Sequence, residues 1–120
     1  MPENVFTKDA GSFVKRKDAK LAIDTYKKSE NIKSNGNIKA HFYGANKMNQ
    51  LLSQDGCVGV RIWYGQDVDS ENKVVPQLYI VGVDEKGNDI LLPAGNELIL
   101  DNGLACPWYC PGVEGDSLDL

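Results

Sequence analysis

Two segments of the chain repeat apolar residues at helical spacing. The first starts at Ser12, a residue type that caps helices, and runs to residue 29; its apolar positions lie among lysines and are Val14, Leu21, Ala22 and Tyr26. Residues 45–52 show a second apolar stripe, and Gly56 follows as a typical helix end. We therefore predict a helix over residues 12–29 and a short helix that ends near Gly56.

Other segments alternate between apolar and polar residues, which is the pattern of strands. Residues 38–43 alternate in this way, and so do residues 57–64, where Val58, Val60, Ile62 and Tyr64 share one face and Cys57, Gly59, Arg61 and Trp63 share the other. Residues 77–93 contain two apolar runs around a Gly-Asn turn and predict a hairpin. Residues 97–101 predict one more short strand.

This order of elements predicts an α+β fold. Strands that follow one another through short turns are antiparallel, so we expect a small, mainly antiparallel sheet of about four strands with two helices packed on one face. A chain of 120 residues suits a single domain. Within it, residues 1–11 form a loose N-terminus and residues 112–120 an acidic tail in this interpretation.

The charge is unevenly distributed along the chain. Residues 1–60 carry ten Lys or Arg against six Asp or Glu, and residues 61–120 carry three against eleven. The first half of the chain is therefore basic, although the net charge of the whole chain is −4. The basic residues of the first helix could contact nucleic acid; they are Lys15, Arg16, Lys17, Lys20, Lys27 and Lys28. The acidic total argues against this, and we favour a solvated helix face.

Hydropathy bears on the location of the protein. No apolar run approaches the 18 residues of a membrane-spanning helix, and residues 1–11 lack the apolar core of a signal peptide. We therefore expect a cytoplasmic protein with no membrane contact. Thiols are normally reduced in the cytoplasm, so three cysteines do not predict a disulfide framework.

Several strings in the middle of the chain are distinctive. They are "HFYG" from His41, "LL" at 51, "GCVGVRIWYG" from Gly56, "VGVDEKGND" from Val81 and "CPWYC" from Cys106. In these strings residues 38–111 resemble a family of small, uncharacterised bacterial proteins. The resemblance implies a compact cytoplasmic bacterial protein, and it implies no activity, ligand or catalytic residue.

The cysteines offer the main candidate chemistry. Cys106 and Cys110 have a spacing that zinc sites allow, and Cys57 and His41 could complete a Cys₃His site from every soft ligand in the chain. Three alternatives compete with zinc: cysteines that pack as small hydrophobic residues, a Cys106–Cys110 disulfide formed on oxidation, and a redox-active thiol. Packing is the interpretation we favour, so the expectation is no cofactor, with zinc as the alternative.

Two aromatic sites are candidates for protein binding. Arg61 and Trp63 share a strand face with Gly59, and Trp108 and Tyr109 lie in the proline-rich segment between two cysteines. The single histidine leaves little room for a catalytic triad, and the chain has no phosphate-binding glycine loop. We therefore expect a non-enzymatic protein-interaction module with an unidentified protein partner, and a zinc-binding or thiol-dependent protein is the alternative.

Overall fold

The computed structural model of the chain describes residues 5–29, 38–91, 95–106 and 109–110. In chain order it contains α1 (Arg16–Ser29), β1 (Ala40–Phe42), α2 (Ala45–Leu52), β2 (Cys57–Val68), β3 (Val74–Asp84) and β4 (Leu104–Cys106). Two helices and four antiparallel strands confirm the predicted α+β class. The strands form two two-stranded sheets, β2–β3 and β1–β4. No helix within the described ranges is both long enough and apolar enough to cross a membrane.

The described residues fall into two compact units. The hairpin unit takes its residues from Met1–Ala10 and Tyr43–Gly103, and it contains α2, β2 and β3. The disulfide unit takes its residues from Gly11–Phe42 and Leu104–Leu120, and it contains α1, β1 and β4. The acidic tail predicted at 112–120 lies outside the described residues.

The hairpin unit is organised by the long antiparallel pair of β2 and β3. A turn at 69–73 joins them: the Asp69 carboxylate accepts the backbone N–H groups of Glu71 at 2.8 Å and Lys73 at 3.0 Å. Asn72 there has a φ of 66°, a conformation that asparagine tolerates better than most residues. β2 therefore continues four residues beyond the end at 64 that the alternation predicted.

α2 packs on one end of this hairpin. Gly82 makes the contact possible, because a Cβ atom there would lie 2.6 Å from Gln54 Nε2 and 3.2 Å from the Leu51 carbonyl oxygen. Leu51, Ile80, Val81 and Val83 are nearly fully buried and form the core of this unit. An eight-residue helix is only about 12 Å long, whereas a twelve-residue strand is about 40 Å long. α2 therefore does not reach the far half of the hairpin, where Tyr64 is 90% exposed.

A β-bulge changes the predicted face of Cys57. Cys57 pairs with Asp84 and Gly59 pairs with Val83, so Val58 is the extra residue that interrupts the alternation. Cys57 consequently lies on the opposite face from Arg61 and Trp63, where its Sγ would be 3.1 Å from a Cβ atom on Gly82. The prediction that Cys57 shares their face was wrong, since regular alternation cannot anticipate a bulge.

The disulfide unit contains α1 and the short β1–β4 pair. α1 begins at Arg16 rather than near Ser12, and the Lys15 carbonyl oxygen accepts its first hydrogen bonds. No residue of α1 is buried, and the predicted apolar stripe includes Leu21 at 68% exposure. Lys20, hydrogen-bonded to Asp24, holds the pKa of that carboxyl below its ordinary value of 3.8, and Lys27 adds a second ion pair. Lys20 and Lys27 therefore both pair within the helix.

Candidate binding site

Arg61 and Trp63 are joined by a third residue, Asp89. Arg61 Nη1 donates a short hydrogen bond to Asp89 Oδ1 and a second one, of 3.0 Å, to the Gly87 carbonyl oxygen. Trp63 Nε1 donates to the other oxygen, Asp89 Oδ2, at 3.0 Å. One carboxylate therefore balances the charge of the guanidinium and fixes the orientation of the indole ring.

The turn at 84–89 places Asp89 next to these two side chains. The Asp84 carboxylate accepts the backbone N–H groups of Lys86 at 2.9 Å and Asn88 at 3.0 Å, which closes a tight loop. Gly87 has a φ of 86°, a conformation that glycine adopts without strain. The chain then returns along β3, where Asp89 forms an isolated bridge with Val83. The sequence analysis missed Asp89 because it interpreted "VDEKGND" only as a turn.

Phe6 packs beneath the same cluster. The Arg61 guanidinium carbon lies 5.9 Å from the centre of the Phe6 ring, within the range of a cation–π contact. A Cβ atom on Gly87 would lie only 2.5 Å from Cζ of the Phe6 ring. Residues near Phe6 form turns of their own, with Thr7 N–H donating to the Val5 carbonyl oxygen at 3.1 Å. Phe6 thus joins this short N-terminal stretch to the turn at 84–89.

Trp63 exposes the apolar part of its ring. The side chain is 52% exposed, and its one polar group already donates to Asp89. Tyr79 is the cross-strand partner of Trp63, and its ring leans diagonally over Gly65, whose Cβ position would be 2.8 Å from Tyr79 Cε2. Arg61, Trp63, Tyr79 and Asp89 together form what we call the Trp63 surface. A half-exposed tryptophan with a fixed orientation is typical of the anchor residue of a protein interface.

Acidic residues surround the tyrosines near this surface. Burial, together with the negative charges of Asp101 and Asp67, raises the pKa of Tyr79 above its ordinary value of 10.0. Burial and Asp101 also raise the pKa of Tyr43, whose hydroxyl donates to the Leu78 carbonyl oxygen at 3.2 Å. Both tyrosines are therefore neutral hydrogen-bond donors at physiological pH.

The free cysteine lies on the opposite face of the hairpin from Arg61 and Trp63, beside the turn at 84–89. The Cys57 thiol is half-buried and donates to the Gly59 carbonyl oxygen at 3.1 Å. It lines an open cleft of about 590 Å³ with charged residues on its rim, which are Lys8, Asp55, Asp84, Glu85 and Lys86. The thiol lies against β3, where the Cβ position of Gly82 would be 3.1 Å from its Sγ.

The other two cysteines are bonded to each other. Cys106 and Cys110 form a disulfide with a Cα–Cα distance of 4.7 Å. The Tyr109 N–H donates to the Ala105 carbonyl oxygen at 2.8 Å and closes the same short loop. Tyr109 is 65% exposed, while Trp108 lies outside the described residues. The predicted disulfide alternative is therefore the state found for these two sulfurs.

The zinc prediction requires a different state of the chain. A metal binds thiolates, and a disulfide sulfur is not one, so Cys106 and Cys110 could act as ligands only after reduction. His41 lies in β1 opposite Ala105 of β4. Within the described ranges, no three His, Cys, Asp or Glu side chains lie close enough together to hold a metal ion. The Cys₃His site stays a prediction for the reduced chain.

Comparison of the chain with protein-family models, with curated proteins and with solved structures finds no match. The geometry of the site is therefore the basis for the function proposed below.

Proposed function

We propose that this protein is a non-enzymatic protein-interaction module that binds its partner through the Trp63 surface. The observation that carries the proposal is the Asp89 carboxylate, which holds Arg61 and Trp63 in place while the indole ring remains 52% exposed. A side chain that is already ordered loses little conformational entropy on binding, so burying its ring contributes more to affinity. The Trp63 surface has this property.

The charge of the chain indicates which partners fit. Asp89 balances the guanidinium of Arg61, so the centre of the surface is apolar and close to neutral. Residues 61–120 carry eleven acidic side chains against three basic ones. A partner with an apolar centre and a basic rim would match both features and would associate faster at low salt.

The proposal includes the cellular location that the sequence suggests. We infer a cytoplasmic bacterial protein of the family whose strings this chain resembles, with no catalytic role. In a reducing cytoplasm the Cys106–Cys110 pair would be found as thiols, and trapping thiols in freshly lysed cells tests this directly. A pair that is fully oxidised in cells would argue for an oxidising compartment instead.

The experiment that tests the binding proposal compares two aromatic truncations. Tagged wild-type protein, Trp63→Ala and Tyr26→Ala are used to capture proteins from a lysate, and the affinity of each enriched protein is then measured by calorimetry. Tyr26 is the matched control because it is an aromatic residue of similar exposure, 55%, on α1. Circular dichroism verifies that both variants are folded.

We expect Trp63→Ala to weaken binding about 30-fold, the effect of losing a hot spot worth about 2 kcal/mol, whereas Tyr26→Ala leaves the affinity unchanged. Arg61→Ala and Asp89→Asn should weaken binding less, because they release the ring without removing it. Partners that bind all of these variants equally well would show that the Trp63 surface is not the binding site.

A further inference from the structure

The outer edge of β2 has no strand beside it in the described part of the chain. β3 is covered on both sides: β2 pairs along one side, and on the other Leu100 exchanges backbone hydrogen bonds with Ile80 at 2.8 and 2.9 Å. β2 pairs with β3 alone, so its twelve residues form an edge strand. Long apolar edges of this kind are templates for pairing with another strand.

The direction of the backbone groups along this edge follows from the pairing. Ile80 directs its N–H and C=O toward Leu100, away from β2, so its cross-strand neighbour Ile62 directs its own groups away from β3. Because backbone direction alternates along a strand, the groups on the outer edge belong to Val60, Ile62, Tyr64, Gln66 and Val68. Only the last of these is protected by a neighbouring side chain, since the Val68 N–H donates to Asp67 Oδ1 at 2.8 Å.

The side chains along the edge leave it accessible. Tyr64 is 90% exposed and Ile62 is 47% exposed, on the face opposite to the Trp63 surface. Natural edge strands are usually blocked by proline, by bulges or by charges. β2 contains no proline, and its one bulge lies at Val58, away from the exposed half. Its two charged residues are Arg61 and Asp67, which have opposite signs.

We propose that β2 pairs antiparallel with β2 of a second copy of this chain, around a two-fold axis at Tyr64. The two hairpins then form one continuous sheet in which β2 of each copy is central. In this register Arg61 faces Asp67 of the second copy, and symmetry repeats the pair. Asp89 and Gly87 bind Nη1 of the guanidinium and the Val68 N–H binds Oδ1 of Asp67, so the new contact uses Nη2 and Oδ2. Cross-strand pairs of opposite charge stabilise a sheet, so the edge is complementary to itself.

Neighbouring registers lack this complementarity. An axis at Trp63 places Arg61 opposite Gly65, which has no side chain. An axis at Gly65 places Trp63 opposite Asp67 and places Arg61 opposite Asp69, which lies beyond the end of β2 in the turn at 69–73. The axis at Tyr64 also pairs Val60 with Val68, so that apolar residues meet at both ends of the contact.

This inference shares Arg61 with the Trp63 surface, but it does not rest on the proposed function, because the pairing of the β2 edge is tested at position 64 on the opposite face of the hairpin. The test begins with the mass of the full chain measured by sedimentation over a range of concentrations. We expect a dimer whose dissociation constant rises at least about tenfold in Tyr64→Lys, where two ammonium groups would face each other. Val74→Lys is the matched control: it adds the same charge on the same face of the hairpin, but on β3.

A cysteine pair tests the register itself. Tyr64→Cys should form a disulfide-linked dimer under mild oxidation, because position 64 faces itself and paired residues lie about 5.5 Å apart. Gln66→Cys should not form one faster than the wild-type chain, since position 66 faces position 62. A monomer at concentrations up to about 1 mM would overturn the proposal. Equal dimerisation of the two lysine variants, or crosslinking at 66 in preference to 64, would also overturn it.

Discussion

The ring of Phe6 occupies the space that a side chain on Gly87 would need. A Cβ atom there would stand 2.5 Å from Cζ of Phe6, and the φ of 86° at Gly87 is strained for any other residue. The glycine therefore serves two purposes: it lets the turn at 84–89 close, and it admits the aromatic ring that supports Arg61.

Gly87→Ala should destabilise the protein by about 2 kcal/mol, from a strained backbone and a displaced ring together. Urea unfolding followed by circular dichroism measures the change. Gly95→Ala is the control, because Gly95 has a similar φ of 95° with nothing within 4 Å of its Cβ position. We expect the control to show the backbone strain alone, about 1 kcal/mol. Equal losses in the two variants would mean that Phe6 adds nothing to stability.

Asp89→Asn should loosen Trp63 and Arg61 together. The amide keeps one oxygen, so it cannot accept from both side chains while balancing the guanidinium charge. The residues are partly exposed, and we therefore expect a loss of only about 1 kcal/mol in the free energy of unfolding. Fluorescence anisotropy in a Trp108→Phe background should show faster motion of Trp63. Glu85→Gln, an exposed carboxylate in the same turn, should leave the anisotropy unchanged.

Reduction of the Cys106–Cys110 disulfide should destabilise the disulfide unit. A cross-link that closes so short a loop contributes about 2 kcal/mol by the chain-entropy estimate. In air-oxidised protein, thiol titration in denaturant should find one thiol before reduction and three after it. Cys110→Ala should lower the melting temperature by the same amount as reduction and should show no further fall on reduction, whereas Cys57→Ala keeps the disulfide and should fall on reduction like the wild-type chain. Three thiols in the untreated, freshly prepared protein would revive the zinc alternative.

The sequence predicted the elements whose pattern is local. α2, β2 and β3 lie close to the predicted residues, because each has a regular apolar period along its own segment. β4 has only three residues and forms by pairing with β1, more than 60 residues earlier in the chain. No local period marks such a strand, so the sequence analysis predicted no strand beyond residue 101.

The candidate site was predicted only in part, because it too depends on residues that are far apart in the chain. Arg61 and Trp63 were identified from their shared face, but the carboxylate that joins them comes from a turn 26 residues further on. Its signal was the position of Asp89 directly after a Gly-Asn turn, where the chain returns alongside β3. Acidic residues are common in turns, so the sequence alone could not distinguish this one from Asp84 or Glu85.

Alkaline pH should destabilise the folded chain through Tyr43. Burial raises the pKa of Tyr43 above 10.0, so the folded chain keeps this proton after the unfolded chain has lost it. The stabilisation is complete below pH 10.0 and is lost as the pH rises from there toward the folded pKa. Tyr79 shifts in the same direction and adds to this loss.

Urea unfolding at several pH values should therefore show stability falling above pH 10.0, with a shallower slope in Tyr43→Phe. At neutral pH the same variant should lose about 1 kcal/mol, because its hydroxyl no longer donates to the Leu78 carbonyl oxygen. If Tyr43→Phe keeps the slope of the wild-type chain, Tyr43 ionises alike in the folded and unfolded states.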